Sequence, residues 1–222
     1  MRLGFLVPAR NEGPRIGLTL EALARLFPEA HVVVVNSDSS DNTPEVARQH
    51  GATVVDSPRG YARALCTGYR NCVALKLDAL VQIDADGQHP PEAVAGLLQG
   101  LEGANWVIGS RAGTQSPGPW TRKAGNAVLA TAVRSWSALP SQDVTSGFWA
   151  LDAKAIEVFA AAFPEDVADA NIRVLASRAG LKVREVPVCM SAREDGASMH
   201  DGLLGARNFL RSLRATWRAS HP

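Results

Sequence analysis

The sequence predicts an α/β fold: a single domain built on one mostly parallel central sheet with helices on both faces. Three observations predict it. Short runs of β-branched and other apolar residues alternate with longer segments of helical periodicity. The run His31-Val32-Val33-Val34-Val35 shows no polar alternation, as expected of a strand buried on both faces. Leu80-Val81-Gln82-Ile83 ends in Asp84-Ala85-Asp86-Gly87, which puts two carboxylates at the carboxyl end of a buried strand, the edge where open α/β sheets bind ligands.

Taken in order, Leu3 to Val7 is the first strand, closed by Pro8, and Ala9-Arg10-Asn11-Glu12-Gly13 is a polar loop. Ile16, Leu20, Leu23 and Leu26 or Phe27 share one face of a helix over Pro14 to Phe27. After His31–Val35 comes the polar stretch Asn36-Ser37-Asp38-Ser39-Ser40-Asp41-Asn42. Thr43 then caps a helix with Pro44 at its first position, and Gly51 ends it. Ala52 to Val55 is a strand, Arg59-Gly60 opens a helix to Ala74, and Leu77 to Ile83 is the acid-tipped strand. Gly87 permits a sharp turn, and Pro90, Pro91 and Glu92 suit the first turn of a helix reaching Leu101. Asn105 to Gly109 is a strand, closed by Ser110-Arg111, and 112–119 is a loop by composition. A helix is expected over Arg122–Ser137, a polar turn entering a strand over Asp143–Leu151, and a helix over Asp166–Ala179. Lys182 to Met190 is a strand at the sheet edge, since it contains Pro187, and Gly202 to Ala219 is helical.

The composition excludes several classes. A chain of 222 residues with 46% hydrophobic and 20% charged residues suits one soluble domain. A net charge of +1 offers no global field for nucleic acid. Cys66, Cys72 and Cys189 form no Cys-x-x-Cys pattern, which argues against a zinc site and a disulfide framework and points to a reducing, cytoplasmic compartment. No apolar run reaches the roughly 18–20 residues a membrane span needs, and the apolar stretch near Met1 is too short for a signal peptide.

Asp84 and Asp86, one residue apart at a strand end, can share one divalent cation. Such hard oxygen ligands suit Mg²⁺ or Mn²⁺, which complete their shell with water and phosphate oxygens, and Gln88 can add a carbonyl oxygen. Alone, the same residues also make an ordinary polar turn. His89 either caps the following helix, packs against it, or serves as a ligand.

The succession Val7-Pro8-Ala9-Arg10-Asn11-Glu12, Asp41-Asn42-Thr43, Asp84-Ala85-Asp86-Gly87-Gln88-His89-Pro90-Pro91, Gly109-Ser110-Arg111 and Asp143-Val144-Thr145-Ser146-Gly147-Phe148 resembles family 2 glycosyltransferases of the GT-A fold. The subgroup it most resembles is the dolichyl- and polyprenyl-phosphate sugar synthases. Arg59-Gly60-Tyr61-Ala62-Arg63-Ala64-Leu65, Glu185-Val186-Pro187-Val188 and Arg193-Glu194-Asp195-Gly196-Ala197-Ser198 extend the resemblance.

The resemblance implies transfer of a hexose from a UDP- or GDP-linked sugar, bound by about 1–111, to an acceptor handled by about 112–222. A cation at Asp84, Asp86 and Gln88 would stabilise the charge growing on the departing diphosphate. Pro8, Ala9, Arg10, Asn11, Glu12, Asn36, Asp38, Arg63 and Ala85 are the expected nucleotide-sugar contacts. Arg111 and Arg122 are the expected phosphate cations, Arg111 through bidentate bonds. Three departures stand out: Asn36-Ser37 replaces a common Asp-Asp pair, Trp149 stands where Arg is common, and Asp169-Ala170-Asn171 keeps one acid of a usual pair. Asp169 is either a catalytic base or a surface polar residue. A polyprenyl phosphate acceptor is already ionised and needs no strong base, whereas a hydroxyl acceptor of the glycerate or glycan type does. A non-catalytic nucleotide-sugar-binding relative is the remaining alternative. Arg207, Arg211, Arg214 and Arg218 share one face of the last helix beside Leu203, Leu210, Leu213 and Trp217, so that this helix either packs with its arginines in water or lies peripherally on an anionic membrane surface.

Overall fold

The computed structural model describes residues 1–114, 120–137, 139, 142–191 and 202–221, with side chains described outside 120–126 and 202–207. β1 (Leu3–Ala9) is followed by α1 (Gly13–Leu26), β2 (His31–Asn36), α2 (Thr43–Gln49), β3 (Thr53–Asp56) and α3 (Tyr61–Val73). β4 (Ala79–Gln82), a 3₁₀ turn at Pro91–Ala93, α4 (Val94–Gly100), β5 (Trp106–Ser110) and α5 (Trp120–Ser137) come next. β6 (Trp149–Asp152), α6 (Ala153–Ala162), α7 (Asn171–Arg178), β7 (Val183–Pro187) and α8 (Gly202–Ser220) complete the described elements.

These strands form one seven-stranded sheet in the order β3-β2-β1-β4-β6-β5-β7. Every pairing is parallel except those of β6, which runs antiparallel to both β4 and β5. Side chains alternate between the two faces, as the period of a strand requires. Phe5 and Val7 join Ile16, Leu20, Leu23, Val94 and Leu97 on the α1/α2/α4 face. Leu6, Val33 and Val35 join Leu65, Tyr69, Ile156, Phe159 and Ile172 on the α3/α6/α7 face. A third, smaller cluster joins Leu129 and Val133 of α5 to Val144, Ala170, Phe209 and Leu213.

Two local expectations change and one helix is added. Pro8 does not close β1, which runs to Ala9 with Pro8 opposite Val35. The Leu6 carbonyl accepts from Ile83 N–H on the β4 side, and Pro8, two residues on, faces the same side. β4 has ended there at Gln82, so the missing N–H leaves no gap in the ladder. α6 has no sequence stripe to announce it, because Ala-Lys-Ala-Ile-Glu-Val-Phe-Ala-Ala-Ala is apolar almost all round; Asp152 caps it by accepting Ala155 N–H at 2.8 Å. α7 starts at Asn171 rather than near Asp166. The Asn171 amide accepts from Asp169 N–H (3.0 Å) and donates to Val167 O (2.8 Å), a local turn that competes with helix. The edge position expected from Pro187 is the one β7 occupies.

Candidate active site

The site follows from the strand order. β1 passes the chain to β2 on one side and β4 passes it towards β5 on the other, so the loops leaving their carboxyl ends diverge and open a crevice. Because β6 is reversed, its preceding loop comes to this same rim, with Trp149 paired to Gln82 and to Ile108. The segment after β7 arrives there too, since Ser191 N–H donates to Gln88 O at 3.0 Å.

At the centre of the rim Asp84 and Asp86 are both half-buried. The Tyr61 hydroxyl donates to Asp84 Oδ1 at 3.3 Å. Asp84 N–H donates to His89 Nδ1 at 3.0 Å, which leaves the ring proton on Nε2, 3.8 Å from Asp84 Oδ2. His89 is buried and stacks on Phe148, with ring centroids 4.9 Å apart. Burial, and then the positive charge of Arg111, push its pKa down to about 3, so it is a neutral spacer holding the turn. Asp86 Oδ1 accepts Gln88 N–H at 3.1 Å, and Gln88 Nε2 donates to Ser191 O at 3.3 Å. Asp86 therefore shapes its own turn, and Gln88 ties that turn to the segment after β7.

Beside the carboxylates lies a buried charge cluster. Arg111, at the end of β5, grips Asp143 through Nε (2.7 Å) and Nη2 (2.8 Å), adds Thr145 Oγ1 (2.9 Å), and gives its backbone N–H to the same carboxylate (2.9 Å). Asp143 is 1% exposed. Burial alone would raise its pKa, but the Arg111 bonds and charge outweigh it and hold the carboxyl below its usual value. Arg173 of α7 is fully buried; it donates to the carbonyls of Asp143 and Val144, lies 3.5 Å from Glu185 and stands over the Trp106 ring at 5.5 Å. Glu185 of β7 in turn accepts the backbone N–H of Gln142 at 2.8 Å. Asp169, half-buried just ahead of α7, adds its negative charge to the field at both arginines.

On the β1–β2 side the loops are stitched together. Asn11 adopts a left-handed backbone (φ 55), which asparagine tolerates, and its amide oxygen accepts Ser40 N–H at 2.8 Å. Asp41 accepts from Gly13 N–H (3.0 Å), Thr43 N–H (3.0 Å) and Thr43 Oγ1 (2.5 Å). Burial would raise its pKa, yet these bonds together lower it. Thr43 Oγ1 accepts Glu12 N–H at 2.8 Å, so Thr43 ties α2 to the β1 loop rather than capping its own helix. Asn36 joins Asp56 Oδ1 (2.8 Å) to Ser39 N–H (3.2 Å), and Glu12 pairs with Arg15 at 2.8 Å.

The structure therefore brings Pro8, Ala9, Arg10, Asn11, Glu12, Asn36, Asp38, Asp84, Ala85, Asp86, Gln88, Arg111 and Asp169 to one sheet edge. Arg10, Asp38 and Arg63 are exposed, Asp38 with a left-handed backbone, and Arg63 lies in the first turn of α3. The Arg122 side chain and residues 193–198 lie outside what is described. Trp149 is a core residue, 3% exposed, its indole N–H donating to Ser146 O at 2.5 Å. Sequence reasoning gave no role to Tyr61, Gln82, Asp143, Arg173 or Glu185. Tyr61, Asp143 and Glu185 stood in quoted motifs without a role of their own; Gln82 interrupts an apolar strand, and Arg173 stands between the apolar Ile172 and Val174. Among the described residues no group of three His, Cys, Asp or Glu side chains forms a metal cage.

Comparison with known proteins supplies the lineage. An undecaprenyl-phosphate mannosyltransferase of Micrococcus luteus is 31% identical over 92% of this chain and 90% of its own. A polyprenol monophosphomannose synthase of Mycolicibacterium smegmatis is 28% identical over 89% of this chain and 80% of its own. The GT-A fold is shared with glucosyl-3-phosphoglycerate synthase of Mycobacterium tuberculosis. Its complex with phosphoglyceric acid superposes with a TM-score of 0.73 at 23% identity, covering 97% of this chain and 80% of that one. Its complex with Mn²⁺, UDP and glucosyl-3-phosphoglycerate gives 0.70 at 20% identity, covering 99% and 80%. The profile of Glycosyl transferase family 2 matches residues 5–159, which hold β1 to β5, the acid-tipped β4 turn and β6, and the chain belongs to that family.

Proposed function

We propose that this enzyme moves a hexose from a nucleoside-diphosphate sugar to a polyprenyl phosphate, with a divalent cation held at Asp84 and Asp86. One observation carries the reading: the paired carboxylates stand at the crevice where the sheet's connections diverge, in a chain aligned over most of its length with polyprenyl-phosphate mannosyltransferases. The donor set fits Mg²⁺ or Mn²⁺. It is made of hard oxygens, and with two acids rather than a closed cage it suits an ion that completes its shell with diphosphate oxygens and water. Such an ion supplies charge stabilisation of the departing nucleoside diphosphate. Residues 1–111 bind the donor, with Arg10, Asn11, Glu12, Asn36, Asp38 and Arg63 around the nucleoside, either UDP or GDP. Residues 112–222 receive the acceptor.

Arg111 acts there as an oriented cation, fixed by Asp143, with Arg122 as a second. Asp169 sets the local field; with a phosphate acceptor it need not take a proton. α8 supports a place at the cytoplasmic membrane surface. Ser212 and Thr216 are buried in it, while Leu210 and Trp217 are 54% and 53% exposed among exposed Arg211, Arg214 and Arg218. No acidic residue occurs in α8. Among the described residues no helix is long and apolar enough to cross a membrane.

The test is calorimetric binding of UDP, GDP and their sugars with and without Mn²⁺, on wild type and Asp86→Asn, followed by transfer to undecaprenyl phosphate in vesicles. Metal-dependent binding of one nucleotide, lost in the variant, with sugar recovered on the lipid, is the expected result. Transfer only to a soluble hydroxyl acceptor would overturn the acceptor, and no nucleotide binding would overturn the whole reading.

A further inference from the structure

Gln82 is out of place by composition: an amide in the middle of the sheet, between Val81 and Ile83, with no exposed surface. A buried amide is tolerated only when its polar atoms are paired, and here they are. The Gly147 carbonyl can only accept, so the nitrogen must face it, and Nε2 donates at 2.8 Å. That fixes the amide the other way round for its neighbours. Oε1 accepts from the Tyr69 hydroxyl at 2.5 Å, and the second Nε2 hydrogen goes to the Tyr61 oxygen at 3.2 Å. Tyr61, having accepted, directs its own proton to Asp84 Oδ1 at 3.3 Å. A one-way chain thus runs Tyr69 to Gln82 to Tyr61 to Asp84, from the α3 side of the core to the rim.

We propose that Tyr61 is a positioning residue for Asp84, aimed by the buried Gln82 amide, and that it sets the affinity of the rim for a divalent cation. This rests on the reading of Asp84 as a metal ligand. The direction of the chain suits the role, because an ionised carboxylate only accepts, and the amide bond to the phenol oxygen fixes where its single proton points, so that it favours one orientation of Asp84. Gly147 belongs to the same device. A Cβ there would sit 2.7 Å from the Tyr61 oxygen and 3.6 Å from Gln82 Nε2, so any larger residue in the β6 loop would displace the Tyr61 hydroxyl.

The experiment titrates Mn²⁺ in the presence of saturating UDP or GDP, following the loss of the free-ion electron paramagnetic resonance signal, on wild type, Tyr61→Phe, Tyr69→Phe and Asp84→Asn. Thermal melts run in parallel. Tyr61→Phe is expected to weaken Mn²⁺ about 10-fold, the lower end of outer-shell effects, with its melting temperature close to wild type. Tyr69→Phe leaves Gln82 anchored on Gly147 and Tyr61; it is expected to melt earlier and to bind Mn²⁺ within about twofold of wild type, because the orienting bonds of Tyr61 survive. Wild-type affinity in Tyr61→Phe, with binding lost in Asp84→Asn, would overturn the inference and leave the proposed function standing. Affinity that merely tracked stability across both tyrosine variants would also overturn it. No Mn²⁺ binding by the wild type would overturn both.

Discussion

Replacing Asp143 by asparagine tests the charge cluster beneath the rim. Arg111, Asp143, Arg173 and Glu185 sum to zero charge, and Asp143 is the one member that touches both arginines: its carboxylate takes Arg111 and its carbonyl takes Arg173. Asparagine keeps the shape but leaves one uncompensated positive charge, with Arg173 fully buried and the Arg111 side chain only 24% exposed. Removing one partner of a buried pair costs about 3–5 kcal/mol, a large share of the roughly 5–15 kcal/mol that holds a domain. At about 2–4 °C per kcal/mol for a chain of this size, the melting temperature should fall by about 6–20 °C. The pH dependence has a definite sign. The Asp143 carboxyl is held below its usual 3.8 in the fold, so its stabilisation is present above that value and disappears as pH falls through the lower, folded value. Melts of wild type and Asp143→Asn should differ at neutral pH and converge in strong acid. Adding Arg173→Met restores neutrality, and the pair should be less destabilised than the sum of the single variants by about 0.5–3 kcal/mol. Strict additivity, or a wild-type melt for Asp143→Asn at pH 7, would refute the coupling.

Two further outcomes are expected. Gly147→Ala must push Tyr61 or the β6 loop aside, at an overpacking cost of about 1–3 kcal/mol, and should weaken Mn²⁺-dependent nucleotide binding in calorimetry; unchanged affinity would show that the loop relaxes without moving Tyr61. Replacing Arg211, Arg214 and Arg218 together by serine should weaken partition onto phosphatidylserine-containing vesicles about 100-fold at low salt, from about 1 kcal/mol for each basic residue near the surface. Equal partition of the variant and the wild type in a sedimentation assay would remove α8 from the membrane.

The last helix shows how far a pattern reaches. Its spacing predicts one arginine face and one apolar stripe; the side chains of Arg207 and Leu203 lie outside those described, and of the rest Arg211, Arg214 and Arg218 are exposed. In the fold the stripe divides, with Leu213 packed against the α5 cluster and Leu210 and Trp217 left outside among the arginines. Which part of a wide stripe is covered depends on the width of the partner, here α5 and α7, and no local periodicity encodes that. Arg111 makes the same point at the site. Its type and place at a strand end announce a phosphate cation, yet its fork closes on Asp143, 32 residues away in sequence.

The sequence by itself determined the alternation of strands and helices, the edge position of β7 through Pro187, and the two carboxylates at the end of β4. Each of these is written in short-range chemistry: β-branched runs, a missing N–H, a glycine turn. Tertiary structure alone decided that β6 runs backwards between β4 and β5, and so delivers Asp143 and Gly147 to the rim. It decided likewise that Tyr61, Gln82 and Asp84 form one chain, and that Arg173 and Glu185 complete a neutral cluster. The physical reason is that strand direction and the pairing of buried polar groups are settled by contacts between residues far apart in the chain, where each group is satisfied only once the others are in place.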